Sequence, residues 1–379
     1  MLRTIAEHLA GQGHQVDVLS AQPSYGGSDK HRTSPTTETI GDVKVRRARL
    51  LPEKPSQMVR RALNLGFFAL QVFAQASRRG SYDVVMAATT PPILVALTAR
   101  LASKVSGARF VYHMQDIYPE VLAANEGRPL GVPQQALQRV DSWTTQHADR
   151  VVVLSQDMMQ TLADRHRIDH VRVINNFLPD ASHSSDSKEL ETVTWVADSF
   201  QVVFAGNLGN FQGIDHVIEA FALLDESGVE AHLVLVGSGA AEEELRTQAA
   251  TMLDRRVFFA GRMSQSNAEQ IVSASDLALV TLNKGVIATA FPSKTMTYLS
   301  CGTPVLAAVE HDSELATLLR TENVGTSCQL DARSIATAIE EAAAAQPIET
   351  RAVEAVAASY ASAASRLPEW AALFGELDD

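Results

Sequence analysis

The sequence predicts an α/β protein built from two doubly wound parallel sheets that face each other across a cleft. Short apolar runs alternate with helical segments of about 10–15 residues along both halves of the chain, which is typical of this class. A length of 379 residues is typical of two domains. Between the halves, residues 179–198 are polar and rich in Ser, Asp and Thr, which indicates a linker.

The first domain is predicted over residues 1–178. It opens with a helix over residues 1–10 and a strand over 15–20, which form only the second half of a βαβ unit. The polar residues 21–42 are predicted to form a long loop. The further elements expected are helices over 57–79, 93–105 and 133–147, and strands over 43–50, 82–88, 109–113, 150–154 and 171–175.

The second domain is predicted over residues 199–361. Its buried strands are expected over residues 201–205, 231–236, 256–259, 277–281, 304–308 and 325–328. From residue 335 the chain is alanine-rich and helical, with breaks at Pro347 and Pro368. The last helix, over residues 362–379, could pack back on the first domain. The carboxyl ends of both sets of strands then line the cleft.

Composition restricts the function classes. Thirty-two basic against 44 acidic residues give a net charge of −12, which disfavours nucleic acid as a partner. Two cysteines do not make a disulfide framework and suit the reducing cytoplasm. No apolar run has the roughly 18–20 residues of a membrane span, and no C-x-x-C or H-E-x-x-H motif indicates a metal site. We therefore expect a cytoplasmic protein without a dedicated metal or organic cofactor.

One basic segment departs from this acidic balance. Between residues 41 and 80 the chain has nine basic and two acidic residues, and residues 58–73 are amphipathic and include aromatic side chains. Residues 44–79 could therefore sit peripherally on the anionic inner face of the plasma membrane. The alternative is a core helix with solvated ends.

A strand, a glycine-rich turn and a helix are predicted over residues 202–221. Gly206, Gly209 and Gly213 allow the backbone to turn sharply and to approach a ligand closely. The helix that follows directs free N–H groups and its positive dipole end outward, which predicts a site for a phosphate or diphosphate. Plain α/β packing without a ligand is the alternative.

The second candidate stretch is residues 291–306. Pro292 and Ser293 precede a helix, and the Ser293 hydroxyl could cap its free N–H groups. Lys294 lies in the first turn, where the helix dipole disfavours a cation unless an anion also binds there. An ordinary capped helix with a solvated lysine is the alternative.

Polar residues directly follow the strand over residues 109–113. His113 ends that strand, and Asp116 and Glu120 lie in the stretch after it. The carboxyl end of a parallel strand is where α/β proteins place their chemistry. The alternatives are a polar strand-end histidine for His113 and a helix N-terminal charge for Glu120.

Taken in order, these motifs resemble the family 4 glycosyltransferases, which have the GT-B fold, over nearly the whole chain. The Gln-Asp-x-x-Pro-Glu, Gly-Asn-x-Gly and Pro-Ser-Lys forms are most similar to the branch of O-antigen, capsule and colanic acid pathways, which includes amino-deoxysugar transferases. The stretches that carry the resemblance are 11–19, 115–120, 206–213, 234–239, 292–294 and 301–305.

The resemblance implies retaining transfer of a sugar, such as an N-acetylated hexosamine or deoxysugar, from a nucleotide-diphosphate donor, preferably UDP-linked. The acceptor would be a glycan or a lipid-linked acceptor in surface polysaccharide synthesis. No metal is obligatory in this family, because backbone amides, a helix dipole and basic side chains stabilise the leaving diphosphate. The residues assigned by resemblance are Gly206, Asn207, Gly209, Ser293 and Lys294 to the diphosphate, Gly261, Arg262, Met263 and Thr297 to the nucleoside, and His113 and Asp116 to the sugar and acceptor as catalytic residues.

The sequence departs from the family pattern in three ways. Asn207 and Gln212 occupy positions where many members carry Arg and Lys, so charge neutralisation depends more on Lys294. Thr289 and Thr297 align with an E-x7-E pair, whose second Glu usually holds the donor ribose. The family's first strand precedes the helix that opens this chain. We therefore expect either a native start upstream or a first domain without its central strand.

Two other functions are open. A GT-B sugar-nucleotide epimerase uses acidic and histidine residues in the same cleft and needs no lipid acceptor. A non-catalytic GT-B partner subunit would fit the two threonines and the absent first strand. A dinucleotide dehydrogenase is disfavoured, because no G-x-G-x-x-G is followed by an acidic residue about 20 positions on.

Overall fold

The computed structural model describes residues 1–22, 34–48, 50, 58–178, 199–210 and 212–378. Strands and helices alternate along both halves, as the sequence predicts for an α/β fold. The elements of the first half are α1 (Leu2–Gly11), β1 (Asp17–Ala21), β2 (Thr37–Ile40), β3 (Val43–Ala48), α2 (Met58–Ala76), β4 (Val84–Ala88), α3 (Leu94–Ser106), β5 (Arg109–His113), α4 (Glu120–Asn125), α5 (Val132–Gln146), β6 (Arg150–Val153), α6 (Gln156–Ala163) and β7 (Val171–Val173). Those of the second half are β8 (Phe200–Ala205), α7 (Ile214–Ser227), β9 (Ala231–Val236), α8 (Glu242–Gln248), β10 (Val257–Gly261), α9 (Gln265–Ser273), β11 (Leu277–Thr281), α10 (Lys294–Ser300), β12 (Val305–Ala308), α11 (Glu314–Thr321), β13 (Gly325–Cys328), α12 (Ala332–Ala344), α13 (Thr350–Ala361) and α14 (Ala363–Asp378).

The second half forms one parallel sheet in the order β10-β9-β8-β11-β12-β13. Every residue of β9, β11 and β12 is buried, because hydrophobic clusters cover both faces of the sheet. The chain order reverses between β8 and β11. The gap between the carboxyl ends of these two strands is therefore the topological switch point, where α/β sheets bind ligands.

The first half has two sheets instead of one. A mixed sheet has the order β1-β3-β2, and a parallel sheet has the order β4-β5-β6-β7. Among the described residues no strand pairs with the free edges of β1 and β4. A hydrogen bond of 3.0 Å from Tyr82 Oη to Asp17 Oδ2 links the two sheets.

The C-terminal helix α14 packs on the first half of the chain. Trp370, Leu373 and Leu377 share a buried cluster with Ile5 of α1 and Val111 of β5. None of the described helices combines the length and the apolar content that crossing a bilayer requires.

Two sequence predictions of local structure are wrong. The loop predicted over residues 21–42 contains β2, a short polar edge strand that pairs antiparallel with β3 and has no apolar pattern to reveal it. The break predicted at Pro368 falls inside α14, and the chain instead breaks at Ser362, between α13 and α14. Burial of the following Trp370 holds α14 together despite the backbone hydrogen bond that a proline cannot donate. The predicted linker lies outside the described residues.

Candidate active site

The candidate site begins where β8 and β11 separate. The two strands pair only at Val202 and Val203, and Tyr298 of α10 occupies the space beyond. The Tyr298 hydroxyl accepts a hydrogen bond from the Ala205 amide (2.8 Å) and donates one to the Ala205 carbonyl (2.9 Å). A side chain thus replaces the missing strand partner, and the carboxyl end of β8 opens into the switch point.

The glycine-rich turn after β8 rests on the turn that follows β9. The Gly206 amide donates to the Val236 carbonyl over 2.9 Å. The contact requires glycine in the second turn, since a Cβ on Gly237 would lie 1.9 Å from the Gly206 oxygen. Backbone contacts with the turn after β9 therefore hold the loop that follows Gly206. In this loop Asn207 is exposed and Gly209 is buried.

Helix α7 follows this turn without a side-chain cap. Its N-cap is Gly213, which lies in the left-handed region at φ 62°. Because no side chain caps the helix, its first N–H groups are available to an anion, and the helix dipole adds positive potential. Helix N-termini of this kind bind phosphate groups.

Lys294 is the cation that faces this turn. Its Nζ lies 2.7 Å from Gln212 Oε1 and 3.8 Å from the centre of the Phe204 ring. A Cβ on Gly206 would lie 3.5 Å from Nζ, so the ammonium group and the glycine turn are in contact. Burial lowers the pKa of Lys294 to about 7. Within the described ranges, no carboxylate pairs with this ammonium group.

Ser293 and the two threonines differ in what they can offer a ligand. Ser293 is exposed and makes no capping hydrogen bond, because its backbone is helical (φ −57°, ψ −24°) and not extended as a capping serine requires. The predicted cap is therefore wrong. Thr297 lies half-buried on the same helix. Thr289 is buried, and its hydroxyl donates to the Val286 carbonyl (2.9 Å), so that hydroxyl is already used inside the protein.

The end of β10 lies beside the same two turns. The Gly261 carbonyl accepts a hydrogen bond of 2.8 Å from the Gly237 amide. Arg262 is exposed directly after it, and Met263 packs partly against the core. The guanidinium group of Arg262 is thus a second accessible cation near the strand ends.

Asp116 approaches the site from the first half of the chain. Its backbone pairs with Ala290, and the Ile117 amide donates to the Thr289 carbonyl over 2.8 Å. These contacts hold the segment after β5 against the residues that lead into Lys294. Asp116 is half-buried, and burial raises the pKa of its carboxyl.

His113 does not reach the cleft. Its side chain is 0% exposed and meets the ring of Trp370 edge-on, with 4.9 Å between the ring centres. Neither ring nitrogen has a hydrogen-bond partner in the described part of the chain, and burial lowers the pKa of the imidazole to about 4. The expectation that His113 lies near the sugar does not agree with this position, because side chains alternate along β5 and His113 shares the α14 side with Val111.

Glu120 belongs to a buried ionic network. Arg165 pairs with Glu120 and also with Asp141, at 2.7 Å from its Oδ2. The Tyr112 hydroxyl donates to the other Asp141 oxygen over 3.1 Å. The network fastens α4 to α5 and to the residues after α6. The role of Glu120 in this structure is therefore to hold the polar segment in place.

Sequence reasoning did not identify two residues of the site, Gln212 and Tyr298. Gln212 stands out in the sequence only as a missing charge, yet it is the hydrogen-bond partner of Lys294. Tyr298 lies four residues after Lys294 on α10, a spacing that places both on one side of the helix. The four-residue spacing from Lys294 is the sequence feature that could have identified Tyr298. No group of three His, Cys, Asp or Glu side chains that could hold a metal ion occurs among the residues described.

Comparison with known proteins gives two family matches. The family described as "Glycosyl transferase 4-like domain" matches residues 1–176, and "Glycosyl transferases group 1" matches residues 199–345. The boundary between the two matches falls in the predicted linker.

Two curated relatives are similar to this chain over much of its length. A protein of Pseudomonas aeruginosa, assigned as the glycosyltransferase WbjE, is 27% identical over 69% of this chain. The match spans 65% of that relative, slightly less than two thirds. A protein of Escherichia coli (strain K12), assigned as the colanic acid biosynthesis glycosyl transferase WcaI, is 28% identical over 84% of this chain and 81% of its own length.

Solved structures include similar folds. HepE from Anabaena, solved in complex with UDP and glucose, aligns with a TM-score of 0.68. The alignment covers 96% of this chain and 100% of HepE at 18% sequence identity. At this identity the likeness concerns the fold alone.

Proposed function

Because the chain belongs to the family 4 glycosyltransferases and has their GT-B fold, we propose that it transfers a sugar from a nucleotide-diphosphate donor to a glycan or lipid-linked acceptor in surface polysaccharide synthesis. One observation supports binding of the donor diphosphate. The Lys294 ammonium, the uncapped N-terminus of α7 and the Gly206 turn meet at the switch point of the second sheet. Together they offer the positive potential that a diphosphate requires.

The proposed donor is a UDP-linked N-acetylated hexosamine or deoxysugar. HepE has this fold and was solved with UDP and glucose, and WcaI is assigned to colanic acid biosynthesis. These findings support the class of donor and of pathway. We assign Gly261, Arg262 and Met263 to the base and Thr297 to the ribose, an assignment supported by the exposure of Arg262 at the strand ends.

The proposed reaction breaks the bond between the anomeric carbon and the β-phosphate oxygen. An acceptor hydroxyl oxygen bonds to that carbon, and its proton passes to the departing diphosphate. Lys294 and the N–H groups of α7 stabilise the negative charge that develops there, without an obligatory metal. Attack on the face that the diphosphate leaves retains the anomeric configuration. Asp116, held against Ala290, would orient the acceptor hydroxyl from the first half.

His113 takes no direct part in this proposal, because no atom of its side chain is accessible. Its burial also removes one support for the epimerase alternative, which needs acidic and histidine residues in the cleft.

A panel of UDP-, GDP- and dTDP-sugars tests the proposal in two stages. We expect UDP-sugars to raise the Tm most, since a ligand that binds only the native state stabilises it. Incubation with a lipid-diphosphate-linked sugar acceptor, with and without EDTA, should then give a product whose anomeric configuration by NMR matches the donor. A new epimer formed from UDP-GlcNAc alone would indicate the epimerase. No stabilisation by any donor would indicate the non-catalytic subunit.

We also propose that the exposed face of α2 docks this enzyme at the cytoplasmic face of an anionic membrane. Helix α2 has two apolar faces. Phe68 packs inward with Val95 of α3. The opposite face exposes Val59 (75%), Leu63 (49%), Phe67 (50%), Leu70 (64%) and Phe73 (36%). A core helix with solvated ends does not account for this second apolar stripe.

The charges around α2 favour an anionic surface. Residues 58–80 contain four arginines and no acidic residue, and Arg78 and Arg79 are exposed directly after the helix. The neighbouring α3 adds exposed Lys104 and Val105. Apolar side chains combined with cations are typical of peripheral membrane surfaces. The proposal thus narrows the predicted segment 44–79 to α2 and its border with α3, while Arg49 and Lys54 lie outside the described residues.

Vesicle flotation tests this surface. Vesicles of phosphatidylcholine with phosphatidylglycerol should bind the protein, and salt should weaken the binding. The double variant Phe67→Ser/Leu70→Ser should bind at least about tenfold more weakly, since each buried side chain is worth about 1.5–3 kcal/mol. Leu137→Ser, at a similarly exposed leucine of α5, is the control. Equal binding of both variants, or binding indifferent to phosphatidylglycerol, contradicts the proposal. Concentration-dependent dimers that the double variant abolishes would assign the surface to self-association instead.

A further inference from the structure

The residue that holds Lys294 is neutral, and this has a consequence for donor binding. Among the residues that the structure describes, Nζ has one polar contact, the amide oxygen of Gln212 at 2.7 Å, and the Phe204 ring lies below it. An ammonium group has three N–H donors, so two directions are left for another acceptor.

Gln212 is itself firmly built into the structure. Gln212 is 7% exposed. Its backbone N–H donates to the Gly209 carbonyl (3.1 Å), and its backbone carbonyl accepts a hydrogen bond from the buried Thr281 hydroxyl. The backbone of Gln212 is thus fixed by the glycine turn on one side and by the end of β11 on the other. Its side-chain oxygen is held where Lys294 reaches it.

We propose that Gln212 is a positioning residue, which keeps the Lys294 ammonium at the mouth of the diphosphate site through a neutral contact so that the donor diphosphate is the first full negative charge it meets. This rests on the proposed function. A carboxylate at this point would satisfy the lysine permanently and would compete with the donor.

Among the described elements around the site, no charged group pairs with the Lys294 ammonium in place of the donor diphosphate. β8 and β11 carry no charged residue, and Lys294 is the only one on α10. On α7, His216 lies 3.6 Å from Glu219 and 4.0 Å from Asp215. Burial is the cause that lowers the pKa of Lys294 to about 7, and no charged neighbour contributes.

A proton linkage follows. The diphosphate raises the pKa of Lys294 above its value in the free protein, so binding takes up a proton when the pH exceeds about 7. The contribution of the Lys294 charge to diphosphate affinity is therefore fully present below pH 7 and is lost as the pH rises through the pKa of the complex. Calorimetry in buffers of different ionisation enthalpy measures this proton uptake directly.

Gln212→Glu is the decisive variant, with Gln212→Asn as the neutral control. Calorimetry with UDP and with inorganic pyrophosphate should show binding to Gln212→Glu that is weaker by about tenfold or more and less dependent on pH between 7 and 8 than binding to the wild type. The Tm of the free Gln212→Glu protein should be equal to that of the wild type or higher, because the new ion pair replaces a neutral contact. Gln212→Asn should keep the pH dependence at reduced affinity.

Each other outcome is informative. Wild-type affinity in Gln212→Glu, or a parallel fall of Tm and affinity in all variants, overturns the positioning role. Pyrophosphate binding with these variant effects but without UDP binding would sustain the role of Gln212 and overturn the proposed donor. Binding of neither ligand to the wild type overturns both.

Discussion

The two halves of the molecule are built differently. The second half is one continuous parallel sheet in which the Gly206 turn is fixed by backbone contacts, since a Cβ on Gly237 would lie 1.9 Å from the Gly206 oxygen. The first half is divided into two sheets and is held by side chains: the Tyr82–Asp17 hydrogen bond, the Arg165 network and the C-terminal helix.

This difference suggests that the two halves have different roles. A diphosphate is common to all donors of the class, and a site built from backbone and one lysine suits an invariant ligand. Under the proposed function the first half meets the acceptor and the membrane, which differ between enzymes, and a half held by side chains can vary with them. The comparison predicts that the first half is most sensitive to the loss of side-chain networks and the second to changes in backbone shape.

The largest stability effect is expected in the first half. Arg165→Met leaves Asp141 buried (0% exposed) without its cation, which should cost about 3–5 kcal/mol of unfolding free energy. Urea unfolding measures it. Arg167→Met, which removes an exposed ion pair with Asp169, should cost about 0–1 kcal/mol. Similar losses in both variants would mean that the network does not hold the first half together.

The second half should respond most to a backbone change. Gly237→Ala forces the Gly206 turn to move, because the new Cβ would lie 1.9 Å from its oxygen. We expect a loss of about 2–4 kcal/mol in stability and a loss of UDP binding. Gly228→Ala is the control, since Gly228 also has a positive φ (78°) but no atom within 4 Å of its Cβ position. If both variants bind UDP normally, the turn does not form the donor site.

A smaller effect is expected where a side chain substitutes for a strand. Tyr298→Phe fills the same space but leaves the Ala205 amide and carbonyl unpaired, which should cost about 1–3 kcal/mol. UDP affinity should fall moderately as the end of β8 loosens. Tyr82→Phe in the first half should leave UDP affinity unchanged. A Tyr298→Phe protein with wild-type stability would show that the two hydrogen bonds between the Tyr298 hydroxyl and Ala205 are dispensable.

Sequence reasoning recovered the fold because both halves have strong periodic patterns, and each strand of the second sheet lies within a few residues of its predicted range. It left open whether α2 is a core helix or a membrane-facing helix, since an amphipathic pattern does not show which apolar side chains the neighbouring elements cover. It could not place the His113 side chain, because a strand-end position fixes the end of the sheet but not the face that the side chain joins. It selected Lys294 as a candidate from its helix position but did not predict its hydrogen bond to Gln212, which is 82 residues away in sequence.

The account rests on Lys294 as the cation that meets the donor diphosphate. Calorimetric titration of UDP at pH 7 into wild type, Lys294→Met and Lys284→Met tests this directly, because methionine keeps the apolar stem over Phe204 and Lys284 is an exposed lysine of the neighbouring loop. We predict that Lys294→Met binds UDP at least about tenfold more weakly while its Tm stays near that of the wild type, and that Lys284→Met binds normally. Wild-type affinity in Lys294→Met would contradict the account.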